Sequence, residues 1–247
     1  MAKALRLPAV MEETGLAKPT IYKHIKTGKF PPGTKRTDIR IHTWDADEVA
    51  AVLKAAQSSR YYPALVLIAA TGLRNDEALA LTWDASVVNL DEGWLKIRKT
   101  VSRAGKGALL FTEPKTERSR RMIPIPPAVV AMLRRHRTDQ KAERLRAGNQ
   151  WTETGLVFTT GLSGPVEPRS LLRVVEGAAK AAGVKGFGVH TLRHSAAVGW
   201  LEAGVHIKAV ADLLGHSSIA VTGDIYGHMS DDTARAAVDG WSGVLGL

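Results

Sequence analysis

Six side chains in the later part of the sequence, Arg74, Lys115, His190, Arg193, His216 and Tyr226, are of the types that break a phosphate ester. Such a reaction needs a nucleophile, positive charge against the non-bridging oxygens and a proton for the departing oxygen. Arginine offers a planar fork that matches phosphate oxygens and stays charged at any working pH, so Arg74 and Arg193 suit the second task without a metal. A tyrosine phenol, with a reference pKa of about 10, attacks only beside a base or in a strongly cationic setting, and His190 is the candidate to accept or orient its proton. Taken singly, each residue has an ordinary reading: a surface arginine, a solvated lysine, a tyrosine in the core.

Their settings weigh against that. TGLRNDEALALTW places Arg74 after a turn at Gly72, with Glu77 three residues on as the supporting carboxylate that holds the guanidinium in one orientation. TEPKTERSRRMIPIP puts Lys115 at the tip of an expected hairpin. The window from Lys96 to Arg121 carries nine basic residues against two acidic, a footprint for phosphates in which Arg118 and Arg120 are contact candidates. HTLRHS opens a helix with His190 and Arg193 one turn apart, both directed toward an anion near the helix N-terminus. LLGHSSIAVTGDIYGHM sets His216 after a helix stop at Gly215, and Tyr226 ten residues later.

In that order, Arg in TGLR, Lys in PKT, HTLRH, LGHSS and a tyrosine about ten residues beyond resemble the active-site signature of the tyrosine recombinases, the phage-type integrases. The resemblance runs from about Tyr61 to the C-terminus. It implies a site-specific DNA recombinase that cleaves and rejoins strands through a 3′-phosphotyrosine link on Tyr226. Lys115 would be the general acid for the 5′ oxygen, and His216 would donate to a phosphate oxygen. No cofactor and no metal are then expected. The implied partners are double-stranded DNA attachment sites, a homo-tetramer on DNA whose protomers are monomers or weak oligomers when free, and an accessory DNA-bending protein. The alternatives are a DNA-binding regulator or excision-directing factor on a catalytically weak recombinase scaffold, and a type IB topoisomerase acting on single duplexes.

Other chemistries lack their residues. The absence of cysteine excludes thiolate zinc sites, disulfides and cysteine nucleophiles. His190 and His194 have the spacing of a zinc pair, but Thr191 stands where HExxH needs glutamate. Neither GxxxxGK[ST] nor GxSxG occurs.

Periodicity and breakers give the secondary structure around these residues. The expected fold is mainly α with a small antiparallel β-sheet (α+β), in two domains: a winged helix-turn-helix over 1–58 and a recombinase-like catalytic domain over 59–247. In the first, KPTIYKHIKTG turns Ile21 and Ile25 inward and lysines outward, so that Lys18, Thr20, Tyr22, Lys23 and Lys26 suit a major groove. FPPGTKRTDIRIHTW reads as a wing around Lys35 and Arg36, and Asp45 with Glu48 as a capping box for the next helix. The unit resembles excisionase-type winged helices. With this unit directly ahead of the catalytic domain, the helical clamp domain that usually stands there in the family is not expected between them. In the second domain, an apolar helix around Leu65 to Ala70 leads into TGLRNDEALALTW. The segments GWLKIRKTV, ALLFTE and RRMIPIP read as strands. PAVVAMLRRHR, PRSLLRVVEGAAKAAG, TLRHSAAVGWLEAG, HIKAVADLLG and a stretch after Ser230 read as helices. A net charge of +10 over 247 residues favours a polyanionic partner. With no signal pattern and no apolar run near 20 residues, the expectation is a cytoplasmic protein of a bacterial host cell with no membrane partner.

Overall fold

The computed structural model describes residues 14, 16, 18–27, 29, 42–104, 108–114, 119–186, 188–216 and 218–226; for Lys18, Tyr22, Lys26 and residues 224–226 it describes the backbone alone. Lys35, Arg36, Lys115 and Arg118, the wing strand and the helix expected after Ser230 lie outside the described residues. The chain divides into two compact units, 1–40 and 41–247.

In the first unit, helix α1 (Lys18–Lys26) carries Pro19 in its first turn, where a missing N–H costs nothing. Ile21 is buried and Ile25 half-buried, while Lys23 and Lys29 are exposed, as the helical spacing requires. Thr27 donates its hydroxyl to the Lys23 and His24 carbonyls and so closes the last turn.

The second unit begins with Trp44, which is 2% exposed and anchors twice, through its backbone N–H to Ser195 Oγ (2.8 Å) and its indole N–H to the Lys185 carbonyl (2.9 Å). Helix α2 (Ala46–Ala55) follows at the expected capping box: Asp45 Oδ1 accepts from the Glu48 N–H at 2.8 Å and Glu48 Oε2 accepts from the Asp45 N–H at 3.2 Å. Sequence periodicity groups α2 with the N-terminal helices, but its apolar face packs on a helix of the second unit, α6 (Pro168–Ala182). By compactness the division falls after residue 40, so α2 lies in the second unit.

Helix α3 (Tyr62–Thr71) is nearly all apolar and correspondingly central, with Ala64, Leu65, Leu67 and Ile68 fully buried. It ends on Gly72 at φ +62°, where a Cβ would sit 2.9 Å from the Trp200 ring, so only glycine makes this stop. The helix expected next is cut to one turn, α4 (Asn75–Ala78). Beyond it Leu79 and Leu81 are buried, and the chain pairs with the 156–157 segment through a Thr82–Leu156 bridge. Burial and the non-local pairing at Thr82 outweigh the helical pattern there.

Strands β1 (Val88–Asn89), β2 (Trp94–Lys96) and β5 (Met122–Pro124) form an antiparallel sheet in the order β1-β2-β5; β3 (Thr100–Arg103) and β4 (Leu109–Thr112) form a separate hairpin. Leu95 pairs with Ile123, both on the core face. Helix α5 (Pro127–Ala147) runs past the expected PAVVAMLRRHR into the charged stretch after it and ends in a 3-10 turn, Gly148–Gln150. After α6 come α7 (Val189–Glu202), α8 (Ile207–Leu214) and α9 (Ile219–Tyr226); α7 packs on α3, and α9 on α8. The α+β class expected from the sequence holds. No helix among the described residues is long and apolar enough to cross a membrane.

Candidate active site

Glu77 is the fixed point. Its side chain is fully buried, yet it stays ionised because two arginines face it. Arg121 pairs with it bidentately, Nη1 to Oε1 at 2.8 Å and Nη2 to Oε2 at 2.9 Å, and Arg74 Nη1 reaches Oε1 at 2.8 Å. Arg193 Nη1 lies 4.0 Å from Oε2. Burial pushes the carboxyl's pKa up, but the hydrogen bonds and charge of Arg121, then Arg74, outweigh it and hold the group at about 2. The Arg74 backbone N–H also donates to Oε2 at 2.8 Å, so the carboxylate orients both main chain and side chain of the arginine it was expected to hold.

Other guanidinium N–H groups of the three arginines go to carbonyls freed where two helices end. Arg193 donates to Gly72 O (2.6 Å) at the end of α3 and to Leu214 O (2.7 Å) at the end of α8. Arg121 Nε donates to Leu213 O (2.5 Å), and Arg74 Nη2 to Gly215 O (3.4 Å). A helix C-terminus presents unpaired carbonyls and a partial negative charge, which is where buried cations are best accommodated. Gly215, at φ +66°, makes that terminus; a Cβ on it would fall 2.7 Å from Arg121 Nη1. Arg121 and Arg193 are almost wholly buried, whereas the Arg74 side chain keeps 32% of its surface exposed.

Two histidines adjoin the cluster. His216 Nε2 lies 3.2 Å from Arg193 Nη2, and its Nδ1 lies 2.9 Å from Thr222 Oγ1. Burial, then Arg193, Arg74 and Arg121, push its pKa down to about 4. His194 is likewise held at about 4 by burial, His190 and Arg193. His190 lies on the exposed side of α7, its pKa lowered by burial and then by Arg193, with Asp76 acting in the other direction. The His190 and His194 rings are 6.3 Å apart, and no group of three or more His, Asp or Glu among the described residues is placed to hold a metal.

The structure thus brings together Arg74, Glu77, Arg193 and His216, with His190 one turn before Arg193 on α7. Tyr226 is the last residue of α9, the helix that also carries Thr222. Arg120 stands apart, exposed and paired with Glu113 at 2.5 Å. Arg121 and Thr222 were not singled out by sequence reasoning. The signal for Arg121 is the strand alternation: it shares a face with Ile123 and Ile125, both buried, while Met122 between them is 55% exposed.

Over 221 residues the chain is 32% identical to a XerC-like tyrosine recombinase of Caldanaerobacter subterraneus subsp. tengcongensis, covering 84% of this chain and 56% of that one. It is also 32% identical to an integrase of Streptomyces ambofaciens over 72% of this chain and 47% of the other. The chain therefore spans about half the length of these curated relatives. Among solved structures, the Tn1549 transposon integrase in complex with transposon right end DNA superposes with a TM-score of 0.68 at 20% identity, over 94% of this chain and 82% of that one. The catalytic domain of bacteriophage HP1 integrase does so with 0.51 at 18%, over 81% and 94%. Residues 3–50 match the family of the prophage CP4-57 regulatory protein AlpA. Residues 42–233, which hold the whole cluster, match the phage integrase family, and the chain belongs to it.

Proposed function

We propose that this chain is a site-specific DNA recombinase that cleaves and rejoins duplex DNA through a 3′-phosphotyrosine link on Tyr226. The observation that carries the reading is the convergence of Arg74, Arg193 and His216 at the end of α8, one short helix from Tyr226. In the reaction, Tyr226 Oη bonds to phosphorus as the bond from phosphorus to the 5′ oxygen breaks. The phenol's proton passes toward His190, Lys115 protonates the departing 5′ oxygen, and Arg74, Arg193 and His216 face the non-bridging oxygens. The link conserves the ester, so a 5′ hydroxyl from another strand reverses the step with no external energy source.

The fixed guanidinium groups support that role. A cation already held by buried partners needs no reorganisation when charge develops on the phosphate, and one such donor contributes on the order of 10²–10³ in rate. The N-terminal segment, proposed as a DNA-reading domain over 1–58 ahead of the catalytic domain, would place Lys18, Thr20, Tyr22, Lys23 and Lys26 in a major groove and Lys35 and Arg36 on the backbone. Arg118 and Arg120 would meet phosphates beside the site. Attachment-site DNA, a tetramer on that DNA, an accessory bending protein and a bacterial cytoplasm complete the proposal. A second reading, a regulator or excision-directing factor, is favoured by the similarity of residues 3–50 to a prophage regulatory family.

Nicked duplexes drawn from DNA flanking the gene test the first reading. Wild-type protein should give a covalent adduct on a denaturing gel and Tyr226→Phe none. Binding without any adduct from the wild type would favour the regulator.

A further inference from the structure

Helix α7 carries both His190 and Arg193, yet no side chain caps its start. Its N-cap is Gly188, which has nothing to offer the first backbone N–H groups. The segment that opens the second unit supplies fixed points on either side of that start instead. Ahead of the helix, the Lys185 carbonyl accepts two hydrogen bonds, from His42 Nε2 at 2.6 Å and from the Trp44 indole N–H at 2.9 Å, one for each lone pair. Within the helix, two residues beyond Arg193, Ser195 Oγ accepts from the Trp44 backbone N–H at 2.8 Å. Trp44 and Ser195 are both buried, so water does not substitute for either partner of that bond. Gly186, at φ +72°, lets the His42 ring lie against the turn: a Cβ there would fall 2.1 Å from His42 Cδ2. The apolar packing of α7 on α3 is non-directional, whereas these hydrogen bonds are directional and bracket the turns that hold His190 and Arg193.

We propose that residues 42–44 are a brace for the active-site helix: His42 and Trp44, through the Lys185 carbonyl and Ser195, are positioning residues that set where α7 begins and so where His190 and Arg193 stand. They act on the reaction only through α7. Without the brace, the start of the helix has neither a cap nor a tether, and the two side chains shift together relative to Arg74 and His216. A displacement of about 1 Å caused from outside the reacting groups is enough to slow a reaction by about 100-fold. For its effect on cleavage the inference rests on the recombinase reading; for the setting of His190 it does not.

The test uses the full chain with 15N-labelled histidine and the nicked duplex described above. Trp44→Phe keeps a buried ring and drops the indole N–H, Ser195→Ala removes the acceptor, and Ser195→Thr keeps a hydroxyl. Trp44→Phe and Ser195→Ala should each slow adduct formation at saturating duplex by about 10- to 100-fold with the duplex Kd unchanged. In both, the His190 titration followed by NMR should move up toward an ordinary imidazole, as the ring loses burial and its place beside Arg193 and Arg74, with Asp76 acting in the same upward direction throughout. Ser195→Thr should keep the wild-type rate and titration. A brace that merely stabilises the fold would lower the melting temperature and leave the rate and the His190 titration of the folded protein as in the wild type, and that result overturns the proposal. If Trp44→Phe and Ser195→Ala do not fold, His42→Ala, at an exposed position, decides by the same two readouts. Failure of the wild type to form any adduct would count against the recombinase reading alone, because the His190 titration still tests the brace.

Discussion

Arg121 and Arg193 expose 7% and 5% of their side chains, whereas Arg134 and Arg144 on α5 expose 57% and 61%. Both sets have carboxylate neighbours: Glu77 for the first, Asp91 and Glu153 for the second. The difference lies in what else the guanidinium touches. In the cluster, backbone carbonyls at the ends of α3 and α8 accept the N–H groups that Glu77 does not, so each fork is fixed in position. On α5 the charges sit in water, where a salt bridge is screened and has to hold two long side chains still. Arg60 lies between the extremes, bidentate to Glu143 and bonded to the Thr159 carbonyl, with 31% of its side chain exposed. Equal charge thus gives a fixed, buried cluster in one place and a solvated surface in the other.

The largest expected effect breaks the buried set at its base. Arg121→Ala takes from the fully buried Glu77 its bidentate partner and leaves it Arg74 and the more distant Arg193 at 4.0 Å, and removing one partner of such a buried set costs about 3–5 kcal/mol. Denaturant unfolding should show it, and adduct formation should fall with it because Arg74 loses its fixed support.

Acid should reach the same pair by another route. Glu77 has a folded pKa of about 2, below the reference carboxylate value, so its stabilisation is fully present above about pH 4.5 and is lost as pH falls toward 2. His194 and His216, held at about 4, add an earlier loss between about pH 6.5 and 4, because the unfolded chain takes up those protons first. Melting temperature against pH should therefore fall in two stages, and Glu77→Gln should flatten the lower one.

Much of this cluster was legible in the sequence, and the part that was not has a physical explanation. Arg74 and Glu77 sit three apart in one turn, and His190 and Arg193 likewise, so local spacing exposes them. Arg121 meets Glu77 from a strand 44 residues away, and only the alternation through Ile123 and Ile125 marks it as inward-facing. Weighing net charge in the window instead drew attention to Arg120, which faces solvent. The helix around Leu65, strands β2 to β5 and most helices were readable from periodicity, whereas the two-residue β1 and the short α9 were not. The truncation of α4 was not, because pairing with residues 156–157 is a long-range event. The placement of α2 was not either: a capping box fixes where a helix starts, not what it packs against.

A smaller effect is expected at the glycine that shapes the cluster. Gly72→Ala puts a Cβ at φ +62°, which costs about 1–2 kcal/mol in backbone conformation, before the 2.9 Å approach to Trp200 is relieved. Since the Gly72 carbonyl accepts from Arg193, activity should fall further than the stability change alone would produce.

The smallest change belongs to the exposed set. Arg134 donates to Asp91 at 2.8 Å and to the Leu90 carbonyl at 3.0 Å, which on geometry alone resembles the Arg121 contacts. With Asp91 94% exposed and the guanidinium in water, removing it leaves no buried charge behind. Arg134→Ala should therefore shift unfolding by no more than about 1 kcal/mol, and by less at high salt. A loss near that of Arg121→Ala would mean that hydrogen-bond geometry, rather than burial among helix-end carbonyls, separates the two sets.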